Sequence, residues 1–106
     1  MNEQMNEIER FSDIQWQQVS DVARQKLIDN GEKRVRLLDL KAGFQEQEWC
    51  KRGHTGYIIG GTLHMEFESG RMQSYDEGEP MLISSGESHK ARVVTGRVQL
   101  FLVDDV

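Results

Sequence analysis

The clearest period in the chain lies at residues 62–68, where Leu63, Met65 and Phe67 alternate with Thr62, His64, Glu66 and Glu68. Alternation of period two marks a strand with one buried face. The apolar set is therefore predicted to face a core and His64 to face away from it. From Lys33 to Leu40 the parities split into Val35, Leu37 and Asp39 against Arg34, Arg36, Leu38 and Leu40. The preceding segment, Val22 to Ile28, carries helix-forming residues, but Asp29-Asn30-Gly31-Glu32 is a turn signal that joins the two stretches as a hairpin. Lys41-Ala42-Gly43 ends it.

Further on, Tyr57 to Ile59 reads as a short apolar strand turning at Gly60-Gly61. Glu68-Ser69-Gly70-Arg71 sends the chain back through Met72 to Tyr75, and Asp76 to Pro80 leads into Met81-Leu82-Ile83. After the Gly-containing stretch Ser84 to His89, Ala91 to Val94 and Arg97 to Val103 form the last two strands around a Thr95-Gly96 turn. Near the start, Asp13, Ile14, Trp16 and Val19 alternate loosely, as a first strand or a turn packed on the barrel, with Trp16 as a core or interface anchor. Residues 1–11 are polar and acidic and read as a flexible tail, leaving 12–106 as a single domain. Turn signals at about every 8–12 residues, with no helix beyond a turn or two, predict an all-β sandwich or barrel.

The charge balance narrows the partners. A net charge of -5 and a pI near 5.1 argue against a nucleic-acid surface, which needs clustered Lys and Arg. No apolar run approaches the ~18 to 20 residues of a membrane span, and the polar N-terminus lacks a signal-peptide core. A single cysteine closes no internal disulfide and fits a reducing compartment, so a cytoplasmic protein is expected.

Candidate chemistry is concentrated in Gln47 to Gly61, which holds the one cysteine, one of three histidines and one of two tryptophans. Residues two apart on a strand share a face, so Glu48 and Cys50 can point into one cavity, and His54 has the same parity. Glu, Cys and His are all competent metal ligands. His89, the remaining candidate, needs tertiary structure to reach them. The plainer alternative stays open here: a lone Cys is commonly a small buried hydrophobe, a strand Glu part of a solvated face, and a His after a turn its cap.

The stretch from Gly43 to His89 resembles the two-part pattern of the cupins. The first motif of that superfamily runs Gly, about five residues, His-x-His, three residues, Glu, then an apolar strand ending in Gly. Gly43 leads here with a spacer one residue shorter, Glu48 and Cys50 occupy the two His places, His54 the Glu place, and Tyr57-Ile58-Ile59-Gly60-Gly61 the strand. The second motif runs Gly, five residues, Pro-x-Gly, two residues, His, three residues, Asn. Gly78, Ser84-Ser85-Gly86, His89 and Val93 keep that spacing, with Ser84 for Pro and Val93 for Asn. Glu48-Trp49-Cys50-Lys51-Arg52-Gly53-His54 is similar to the "DHWCxKGH" signature of the small DHCW-motif subgroup, with Gln47 for Asp and Glu48 for His. The ending Leu100 to Asp104 is also similar.

The resemblance implies a double-stranded β-helix, a jelly-roll barrel, with Glu48, Cys50, His54 and His89 lining its cavity as metal ligands. Three of the four differ from the usual residue types, yet each is of a type that can bind metal, and thiolate softness favours Zn, with Fe, Ni, Mn or Cu as alternatives. If Glu48 stays off the metal, it becomes a candidate general base. The function implied is a metal-dependent enzyme on a small molecule. The competing functions are a non-catalytic binding or sensing module and a metal-free structural barrel. A homodimer is expected, with Trp49 facing outward, into the interface. Tyr57, Lys90 and Arg92 are expected to serve strand packing and solvated faces rather than the cavity.

Overall fold

Asn30 makes the first hairpin. Its Oδ1 accepts the backbone N–H groups of Glu32 and Lys33, both at 2.9 Å, and so reverses the chain at the predicted turn. On either side run β2 (Ala23–Asp29) and β3 (Lys33–Lys41), antiparallel from Ala23↔Leu40 to Asp29↔Arg34. The structure, a computed structural model, describes residues 9–105, so the expected tail falls mostly on residues 1–8, outside the described residues. The other strands are β1 (Gln17–Ser20), β4 (His54–Gly60), β5 (Thr62–Phe67), β6 (Met72–Asp76), β7 (Pro80–Ile83), β8 (His89–Arg92) and β9 (Arg97–Asp105). Among the described residues the only helix is a single 3-10 turn, Phe11–Asp13, so the all-β expectation is met and no helix is long and apolar enough to cross a membrane.

All strand pairs are antiparallel and form two sheets, in the orders β1-β2-β3-β9-β4-β7 and β6-β5-β8. The period-two patterns explain which faces meet. Leu63, Met65 and Phe67 of β5 are buried, as are Val98, Leu100 and Leu102 of β9, and they share one core with Ile58, Met81 and Ile83. His64 turns away from this core and shares a hydrogen bond with Ser74 at 3.0 Å. The chain passes from one sheet to the other at Gly60-Gly61. Gly61 has φ of 84°, and a Cβ there would run into the carbonyl oxygen of Arg97, so the corner requires glycine.

Two segments depart from the sequence expectation. Residues 12–19, expected as a strand or a turn, are neither alone: the 3-10 turn comes first, and β1 begins only at Gln17. Trp16, between them, is half-buried under the Arg24 guanidinium, 4.2 Å from its ring, and not in the core. Phe11, assigned to the tail, packs edge-on against Phe101 with ring centroids 6.3 Å apart.

The second departure bears on the site. Residues 44–50 lie beside β8 as a broken strand, through Val93 N–H to Phe44 O (2.9 Å), Glu46 N–H to Ala91 O (3.0 Å) and a reciprocal pair between Cys50 and His89 (2.9 Å each). The bridges are Gln45↔Arg92 and Cys50↔His89, so five positions on one side span three on the other. The two extra residues are accommodated by a bulge at Gln47, Glu48 and Trp49.

Candidate functional site

The backbone sets the first distance. Cys50 and His89 exchange both main-chain hydrogen bonds, which holds their side chains opposite each other at one end of the barrel interior. His54 returns to the same place because the chain between them folds tightly onto β7. At Gly53 a Cβ would lie 2.8 Å from Ser85 N and 2.9 Å from Ile83 O, so only glycine lets this turn close without displacing that backbone. His54 then opens β4 opposite Ile83, with its Nε2 3.8 Å from Cys50 Sγ. The two imidazole rings sit 5.1 Å apart, edge to face, and one potential ligand atom from each of Cys50, His54 and His89 lies within 4.8 Å of the others.

Hydrogen bonds fix how both rings point. His89 Nδ1 meets the carbonyl oxygen of Glu87 at 2.8 Å, and a carbonyl can only accept, so the proton is on Nδ1 and Nε2 carries a lone pair. That Nε2 is buried and has no partner among the described residues. His54 Nδ1 meets the Asp104 carboxylate at 3.0 Å, which assigns its proton the same way and turns its Nε2 toward the cysteine sulfur. Asp104 is itself buried and also accepts from Arg36 Nε at 2.8 Å. Burial pushes the His54 pKa below the usual histidine value, outweighing the upward pull of Asp104, and His89 and Arg36 add to the lowering. The ring is thereby kept in the neutral form that binds metals.

These donors suit a metal. Two imidazole lone pairs and one sulfur converge, and each ring is oriented through its other nitrogen by an oxygen acceptor, the usual arrangement behind metal-bound histidines. Tetrahedral zinc, with bonds of about 2.0–2.3 Å, sets nitrogen and sulfur ligands about 3.5 Å apart, close to the Cys50–His54 separation. Glu48 does not join them. It is exposed, it sits on the bulge, and it neither belongs to the three-residue cluster nor lines the cavity. The shared-face inference required an unbroken strand through Glu48 and Cys50, and the two inserted residues interrupt it.

The cluster opens onto a cavity of about 690 Å³ between the sheets. Its walls include Leu38, Phe44, Leu63, Met65 and Leu100, and Glu46 is the carboxylate among the lining residues. Glu46 Oε1 accepts the Ala91 N–H at 2.8 Å. Tyr57 is about half exposed and, like Trp49, Lys90 and Arg92, is not part of the lining. Trp49 is half-buried, with Lys90 Nζ 4.5 Å over its ring.

Solved structures share this architecture over most of the chain. The chain is similar to KdgF from Halomonas sp. (TM-score 0.74, 14% identity, 89% of each chain covered). It is also similar to the polyketide cyclase RemF from Streptomyces resistomycificus (TM-score 0.80, 14% identity, 93% of this chain and 78% of that one). An RmlC-like cupin from Shewanella frigidimarina overlays with a TM-score of 0.77 at 12% identity, across 92% of this chain and 87% of that one. The chain has the cupin fold. At these identities the likeness extends to the fold. No protein-family model matches the sequence, and no curated protein does either.

Three residues of this cupin barrel were not singled out in the sequence: Asp104, Arg36 and Glu46. The signal for two of them was present as parity. Asp104 continues the inward row Val98, Leu100, Leu102, and Arg36 the row Leu38, Leu40, so each is a charge on an apolar face. Glu46 shares the parity of Cys50, but the bulge removes the force of that rule.

Proposed function

We propose that this cupin is a metal-dependent enzyme acting on a small molecule, with Cys50, His54 and His89 as the protein ligands of one divalent ion, zinc by preference. The observation that carries this reading is His89 Nε2, a buried lone pair without a hydrogen-bond partner beside a sulfur and a second imidazole nitrogen. An unpaired buried polar atom is costly, and a cation bound there would relieve it. Three protein ligands drawn from His, Cys and carboxylate, with a fourth position open, are the usual plan for catalytic zinc. Sulfur favours zinc or copper over manganese, with iron and nickel intermediate. When bound, such an ion supplies Lewis acidity and makes a coordinated water more acidic.

The chain's own residues do the rest. Cys50 contributes the sulfur ligand, Asp104 holds His54 in its ligating tautomer, and the apolar cavity wall offers a surface to the apolar part of a substrate. We do not assign Glu48 as a ligand or as general base, because it is exposed on the bulge. Metal analysis of protein purified without a chelating tag tests the reading. About one equivalent of zinc is expected, lost in Cys50→Ser and in His89→Ala; absence of metal under every loading condition would leave a metal-free structural barrel instead.

A second reading, a binding or sensing module without chemistry, is favoured by one observation. The lining carboxylate, Glu46, has its Oε1 tied to the backbone by the Ala91 N–H, a structural contact that gives it a role without chemistry. Turnover in a substrate screen separates the two. We further propose a homodimer, supported by apolar side chains on the outer face of the six-stranded sheet, where Tyr57 and Leu82 are exposed beside half-buried Phe101 and Val103. The single cysteine supports a reducing compartment, the cytoplasm, as the place of action.

A further inference from the structure

The cavity inverts the charge balance of the chain. Acidic residues outnumber basic ones by 18 to 13 overall. Among the described residues that line the cavity, however, Glu46 is the one carboxylate, whereas Arg36, Lys51 and Arg52 are cations. Arg24 also borders it, but its side chain lies on the other face of β2, paired with Asp39 at 2.7 Å. Glu46 is half-buried and bonded to backbone. Asp104 offsets the charge of Arg36, although that bond uses only Nε and leaves the remaining guanidinium N–H groups. The surplus positive charge therefore rests on Lys51 and Arg52. Both are exposed on the short connection between Cys50 and His54, and neither forms an ion pair among the described residues.

The depth of the cavity has the opposite character. Leu63, Met65 and Leu100 are buried, and Leu38 and Phe44 are half-buried against them. A volume of about 690 Å³ is in the usual range for a drug-sized ligand and exceeds what an ion and its waters need. Apolar surface at this depth gains from displacing water, and cations toward solvent attract an opposite charge that stays partly hydrated. The chain's net charge of -5 disfavours anions in general, and the Lys51–Arg52 side offers them a local attraction.

We propose that the cavity takes a small molecule with an apolar body and a carboxylate, the body among Leu38, Leu63, Met65 and Leu100 and the carboxylate toward Lys51 and Arg52. This rests on the reading of the cavity as a small-molecule site, and it does not depend on the metal. Three probes with one body test it: 4-phenylbutyrate, 4-phenylbutan-1-ol and 4-phenylbutan-1-amine, titrated by calorimetry into the protein as isolated and after chelator treatment.

The carboxylate binds tightest, by about two- to fivefold over the alcohol, as expected for one partly exposed charge contact, and the amine binds weakest. Lys51→Ala combined with Arg52→Ala removes that advantage while alcohol affinity is unchanged. Because both side chains are exposed, the variant is expected to keep the wild-type melting temperature, and Lys51→Glu provides an independent sign reversal. An amine that binds as well as the carboxylate overturns the proposal, and so does failure of all three probes to bind. A carboxylate preference that survives the double substitution, or that vanishes with the metal, assigns the anion to another partner and also overturns it. If no metal is found but the preference persists, the metal reading falls and this one stands.

Discussion

Asp104 shows how much of the site depends on a residue that would touch neither metal nor substrate. It bridges Arg36 and His54, and its carboxylate decides which imidazole nitrogen is left bare. Replacing it by Asn keeps the shape but permits the amide to donate instead, which favours the wrong tautomer of His54. Asp104→Asn is expected to weaken metal affinity by about 10- to 100-fold, the usual effect of losing such a support. Competition with a chelator of known affinity measures it, and an unchanged constant would remove Asp104 from this role. At this scale the sequence was legible where chemistry is rare. Cys50, His54 and His89 stand out by type, and the structure brings the three together. Asp104 is 50 positions from His54, and no local pattern connects them.

Strand patterns were most readable where one face is apolar and the other wet. The alternation of β5 and the hairpin at Asn30 are both visible in the residues themselves. The broken strand at 44–50 was not, because a bulge is a mismatch between two segments and cannot be seen in either alone. β1 was equally obscure, since all four of its residues are exposed and leave no periodic signal. Gly53 is the element-scale feature with the sharpest consequence. Gly53→Ala pushes a methyl into the backbone at Ile83 and Ser85, so the Cys50–His54 connection must lift away. The expected outcome is metal affinity reduced at least as much as by Asp104→Asn, with a lower melting temperature. Retention of both values would show that the connection has slack.

At the scale of the molecule, two sheets enclose a cavity and leave an outer face. The all-β class followed from turn spacing alone, whereas the barrel, and the meeting of His89 with Cys50, came only with the cupin resemblance, because long-range closure has no local trace. The outer face argues for association. Exposed Leu82 and Tyr57 lie in cross-strand rows that continue through Val103 and Phe101. A Leu82→Glu, Tyr57→Lys variant is expected to shift the protein from dimer to monomer in light scattering at micromolar concentration, with the barrel still folded by circular dichroism. A wild-type protein that is already monomeric at that concentration would rule the dimer out.

The reciprocal hydrogen bonds between Cys50 and His89 have a consequence for how such sites diversify. Because the main chain alone sets the span between these two positions, the side chains on them are exchangeable parts in a fixed frame. Cys50→His alters the hardness and charge of the donor set while the backbone pairing that holds the position stays in place, and the proposed metal preference is expected to shift from zinc toward iron, manganese or nickel. A single codon, rather than a new architecture, then separates one inorganic chemistry from another.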